Sequence, residues 1–228
     1  MTLNEKKEVL FSITHSYFLE KGFKYIRKLP QRYLKKEKEH IYCLSFGFKT
    51  RSNLHDNSNI QIHHKVVEKI VIEIGIPTNK LETQKGGKEF LYTVVQKSIV
   101  SANAEKPNNI VTPIITEEDF IDWGKRLINY MEMEGLPFIE HYSYLPNVLT
   151  EMNRLEKEGK YWHEILGGRL EHVFRGLIIS KLCNDYDYER KFKRWEEIIC
   201  GNSKYEKWYP YLKKLKEKLA TLKPIYNL

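Results

Sequence analysis

Cysteine is scarce in this 228-residue chain, and its three copies, Cys43, Cys183 and Cys200, are odd in number and far apart. That spacing excludes a disulfide framework and a CxxC metal knuckle, so the three are expected as reduced thiols packed like small apolar side chains. Long apolar runs are missing too: nothing approaches the roughly 18 consecutive apolar residues of a membrane-spanning helix. The opening MTLNEKKEVLF carries no basic region leading into an apolar stretch, so a cytoplasmic location is expected. Also absent are HExxH, GxSxG, the phosphate loop GxxxxGKS/T and GxGxxG. Without them neither a cofactor nor a metal is expected, no residue is assigned as catalytic, and an enzymatic role ranks below a binding one. Arginine is sparse, with 9 residues against 29 lysines; that usage fits an AT-rich genome and hence a bacterial source.

What is present is enough to bury a core, since 41% of residues are hydrophobic and 13% aromatic. The hydrophobic period changes near the middle. Strand-like alternation dominates to about residue 100 and helical spacing dominates after 117, which predicts an α+β fold: an N-terminal helix on a small, mainly antiparallel sheet, followed by a mostly helical C-terminal half. The stretch SANAEKPNNIVTP has no period and two prolines, so the expected division is an α+β domain over 1–106 and a helical domain or subdomain over 114–228.

In the first part, Val9, Leu10, Ile13 and Tyr17 mark a helix with Asn4 as its expected cap and Gly22 after its last turn. The run FKYIRKLPQRYLKK reads as two short strands or one kinked edge strand. In HIYCLSFGFKT, strand phase puts Tyr42, Leu44, Phe46 and Phe48 on a core face and Cys43, Ser45, Gly47 and Lys49 opposite. Ile60 and Ile62 mark the next strand. KVVEKIVIEIGIP fits a helix better, because a strand would bury Glu68 and expose Val67 and Val71; Gly75 and Pro77 then stop it. EFLYTVVQKSIV adds a further strand. Beyond 116 the period predicts five helices: one from Thr116 closed by Gly135-Leu136-Pro137, one from Pro146 to Gly159, a broad central one through Val173 and Leu182, and two around Trp195 and Leu215.

Three sets of residues invite a functional reading. His63-His64 sits late in a strand, where neighbours point to opposite faces and cannot share a metal without distortion. The expected outcome is one exposed and one partly buried structural histidine, with His64 inside. Glu140-His141, His163-Glu164 and Glu171-His172 are helical neighbours that diverge by about 100 degrees, so none is expected to form a dyad. Gly167-Gly168 precedes the broad helix, and with Arg169 and Arg175 it is the place to look for a bound anion. Last, the cluster KYEKWYPY places Tyr205, Trp208, Tyr209 and Tyr211 among lysines. Pro210 is expected to hold Tyr209 extended and leave ring surface exposed for a partner, Trp208 above all.

The chain's net charge of +8 invites a nucleic-acid reading, and from Asp187 onward 11 basic residues face 6 acidic ones. Most lie beside opposite charges on amphipathic helices and read as solvated faces. Gly22-Phe23 after the first helix, Phe46-Gly47-Phe48 and Ile62-His63-His64 make the first 100 residues similar to small uncharacterised bacterial proteins found among toxin-immunity and defence genes. That resemblance carries no catalytic residues. The missing catalytic signatures and the aromatic C-terminal surface point to a non-enzymatic interaction protein, of immunity or defence-associated type, whose partner is another bacterial protein. Nucleic-acid binding through the basic aromatic C-terminal region is the alternative, and an unrecognised hydrolase around His64 or the histidines of the helical half the third. No membrane partner is expected.

Overall fold

A computed structural model of the chain describes residues 2–26, 32–45, 59–76, 91–96 and 116–227. It is an α+β protein: an N-terminal helix, a five-stranded antiparallel sheet and a mostly helical C-terminal half. Helix α1 (Leu3–Glu20) starts two residues earlier than Asn4 would place it, because Thr2 and Glu5 form a reciprocal capping box. It ends as expected at Gly22, whose φ of 82° is left-handed and lets the Phe23 amide return to the Phe18 carbonyl at 2.9 Å. Strands β1 (Lys24–Ile26), β2 (Arg32–Lys36), β3 (His40–Ser45), β4 (Asn59–His64) and β5 (Val94–Gln96) lie in sequence order across the sheet. The run after Phe23 is therefore two strands, with Tyr25 opposite Tyr33 and Leu34 opposite Cys43.

By contacts the chain forms two units, residues 1–62 with 95–141 and residues 63–94 with 142–228. The cuts fall inside β4, inside β5 and between His141 and Tyr142; the expected boundary stretch 107–113 lies outside the described residues. The first unit holds α1, most of the sheet and α3 (Glu117–Tyr130). Its core stacks Phe18 on Tyr33 with ring centroids 4.3 Å apart, and Leu10, Thr14 and Phe18 line the buried stripe of α1. Tyr42 and Leu44 are buried as the strand phase requires, but so are Ile41 and Cys43, so β3 is covered on both faces. Phe46, Gly47, Phe48 and Lys49 lie outside the described residues. Gly135-Leu136-Pro137 does not close α3. The chain runs on through a π-turn at Met131–Gly135 into α4 (Leu136–Tyr142), where Leu136 donates to the Met131 carbonyl.

The second unit holds α2 (Lys65–Ile74), α5 (Leu145–Lys157), α6 (Glu171–Leu182), α7 (Tyr188–Cys200) and α8 (Tyr209–Thr221). Gly75 (φ 71°) and Gly159 (φ 70°) end α2 and α5 where the sequence puts the stops. Helix α6 is buried along ten of its twelve residues, the central position its breadth predicts. Gly176 lets it approach the Trp162 ring so closely that a Cβ there would lie 2.3 Å from a ring carbon. Among the described residues no helix is long and apolar enough to cross a membrane.

Candidate functional site

Helix α6 carries Glu171, His172 and Arg175 of the residues the sequence marks in this unit and packs Phe174 on Trp208. At its N-terminal end, Gly168 (φ 92°) turns the chain and the Arg169 amide donates to Glu171 Oε2 at 2.7 Å. The anion position expected at Gly167-Gly168 is thus taken by the chain's own carboxylate. Arg175 does not face that loop as an open cation either. It is wholly buried, gives Nε to Glu68 Oε1 at 2.7 Å and Nη2 to Oε2 at 2.8 Å, and gives Nη1 to the Gly167 carbonyl at 2.8 Å. Thr93 donates its hydroxyl to Glu68 Oε1 and accepts the His64 amide. Burial alone would lower the Arg175 pKa, but the Glu68 carboxylate holds it above its ordinary value. Glu68 is therefore on a helix, as the period says, and yet fully buried, because its partner comes from 107 residues away.

Both histidines of the pair are buried, correcting the expectation that one is exposed. His63 Nδ1 donates to the Leu91 carbonyl at 2.5 Å and His64 Nε2 to the Tyr142 carbonyl at 2.9 Å, so each ring clamps a backbone. His163 Nε2 and Glu164 Oε1 do meet, at 3.1 Å, as two exposed side chains that reach toward each other from a 3-10 turn on the surface. His172 is buried against Trp195, with ring centroids 5.9 Å apart, and among the described residues neither ring nitrogen meets a partner at full hydrogen-bond geometry. Burial pulls its pKa down to about 4, so it is neutral at pH 7. Among the described residues no three His, Cys, Asp or Glu side chains converge as metal ligands. Cys43 and Cys183 are buried, their thiols pushed up to about 12 by burial, but Cys200 is exposed and not packed as expected.

The aromatic cluster also differs from its reading. Pro210 lies in the first turn of α8, which leaves Tyr209 helical, at φ −57° and ψ −46°. That turn carries Trp208 inward onto Phe174, with ring centroids 5.5 Å apart, and leaves it 6% exposed. Tyr205, Tyr209 and Tyr211 are half-buried, and the Tyr209 hydroxyl donates to the Cys200 carbonyl. Trp208 is a core residue and offers no surface.

The bare ring is elsewhere, at the C-terminal end of α6. Tyr186 is 92% exposed, more than any other large apolar side chain among the described residues. Its neighbours are pinned. Asn184 takes the left-handed position (φ 52°), and the Asp185 amide closes onto the Ser180 carbonyl at 3.0 Å. The Asp185 carboxylate turns inward to Lys191 Nζ at 2.5 Å, where both side chains are 1% exposed, and Lys191 also reaches Asn153. Asp185 Oδ1 accepts the Asp187 amide, and Asp187 holds Arg190, whose Nη1 reaches Glu156. On the same helix end, the amides of Ile225 and Tyr226 both donate to the Leu182 carbonyl, and Tyr226 packs edge-on against the half-exposed Tyr144. Sequence reasoning passed over this turn, although Asn-Asp before an aromatic residue is a turn signal.

No family model, curated protein or solved structure matches the chain. The fold defines the class, an α+β protein. In its second unit the buried Arg175 of α6 pairs with Glu68 of α2 and the buried Lys191 of α7 pairs with Asp185, and the turn that holds Asp185 carries an uncovered tyrosine.

Proposed function

We propose that the chain is a non-enzymatic interaction module of a bacterial cell, of immunity or defence-associated type, and that it grips another protein through Tyr186. One observation carries this reading: the most exposed large apolar side chain is held by a turn fixed on both sides through buried or paired charges. An exposed ring on a fixed backbone loses little freedom on binding, and tyrosine is enriched among interface hot spots. Ile225, Tyr226 and Tyr144 would extend the contact around it. The nucleic-acid and hydrolase readings do not draw on this turn.

The test is retention of a partner from the native host by tagged wild-type protein and by Tyr186→Ala in parallel. A protein held by the wild type and by Tyr186→Phe, but lost by Tyr186→Ala at unchanged Tm, supports the proposal. Equal retention by all three overturns it.

A further inference from the structure

The flank of α8 that faces away from the core carries a second feature. Its buried side is Leu212, Leu215 and Leu219, continued by Trp208. On one flank beside it α8 carries Tyr211, Lys214 and Lys218, roughly 4.5 and 6 Å apart along the axis, and Lys204 and Lys207 precede them in the 3-10 turn Ser203–Trp208 that leads into the helix. Lys207 and Lys214 are exposed and Tyr211 is half-exposed, with Lys214 Nζ 5.6 Å from its ring centroid. Lys218 is tied to Glu73 at 2.6 Å, whereas among the described residues no carboxylate pairs with Lys204, Lys207 or Lys214. From Lys204 to Lys223 there are seven lysines and two glutamates. The surface is a cationic track with one aromatic ring set between lysines.

We infer that this flank binds single-stranded nucleic acid, with Lys204, Lys207 and Lys214 on phosphates and Tyr211 stacked on a base. Lysines neutralise phosphates without regard to sequence, and a ring between them offers the stacking platform that single strands use and a duplex does not. The flank is separate from the Tyr186 turn, so the two readings stand or fall independently.

Fluorescence anisotropy with a labelled 20-nucleotide oligothymidylate tests it. Three phosphate contacts predict a logarithmic salt slope of about −2, a loss of affinity of roughly twentyfold between 50 and 200 mM salt. Lys207→Glu with Lys214→Glu should lower affinity at least tenfold and flatten that slope. Tyr211→Ala should lower it by about fivefold or more at unchanged slope. Lys193→Glu on α7 and Tyr186→Ala should change neither, and a circular-dichroism melt checks that each variant folds. Three results overturn the inference: no binding at 50 mM salt, binding indifferent to the double substitution, or tighter binding of the duplex with no effect of Tyr211→Ala. Capture of a poly-glutamate peptide in preference to the oligonucleotide also overturns it and assigns the stripe to an acidic protein.

Discussion

The two ends of α6 solve the same problem in opposite ways. At the N-terminal end a glycine pair and an arginine, which look like a binding loop, turn inward and satisfy one another through Glu171, Glu68 and the Gly167 carbonyl. At the C-terminal end Asp185 turns inward to Lys191, and the turn so fixed projects Tyr186 into solvent. Both ends therefore use charge to build the interior, but only one leaves an apolar group outside. A residue's chemical character does not say where it will be used; what its neighbours do with their charges does.

The inward end should break hardest. Arg175→Ala leaves the Glu68 carboxylate buried with only Thr93 beside it and frees the Gly167 carbonyl, so a loss of about 3–5 kcal/mol is expected in a urea melt. A loss under 1 kcal/mol would mean that water reaches Glu68. Lys191→Ala should cost somewhat less, about 3 kcal/mol, because Asp185 keeps the Asp187 amide as a donor. It should also free the turn, which a rise in proteolytic cleavage near Tyr186 would report.

The contrast between the ends also explains what was legible in the sequence. Periodicity is local, so α1, α2 and the C-terminal helices could be read from it, and Gly22, Gly75 and Gly159 marked the ends of three of them. The Glu68–Arg175 pair joins residues 107 apart and leaves no local trace. Cys43 looked like the open face of β3 because a strand's pattern does not say what covers its second side. Trp208 was misplaced because Pro210 was taken to hold Tyr209 extended, when a proline within the first turn of a helix leaves the residue before it helical. Tyr186 sits in a visible turn signal, yet its importance rests on Asp185 being drawn inside by a lysine six residues later.

A third prediction concerns His172 near the inward end. Its pKa is about 4 in the folded chain against an ordinary 6.5, so the unfolded state binds the extra proton between those values. Stability from this group is complete above pH 6.5 and is lost as pH falls toward 4. Between pH 7 and 5 the wild type should lose about 2 kcal/mol more than His172→Phe. Parallel slopes for the two proteins would show that His172 is protonated without cost.

The smallest effect on stability belongs to the residue with the largest proposed role. At 92% exposure Tyr186 buries little of its ring, and among the described residues the hydrogen bonds of the turn run through Asn184, Asp185 and Asp187, not through that ring. Tyr186→Ala should therefore shift stability by less than about 0.5 kcal/mol, the range of surface substitutions that touch no structural feature. The same change should weaken partner binding by at least about 2 kcal/mol. A double-mutant cycle with Lys191→Ala sharpens the point. If the buried pair acts by stiffening the turn, Lys191→Ala should weaken binding while Tyr186 is present and add little once the ring is gone. Additive losses would mean that Lys191 contributes to the partner surface by another route, and the turn would lose its claim to be a rigid mount for the ring.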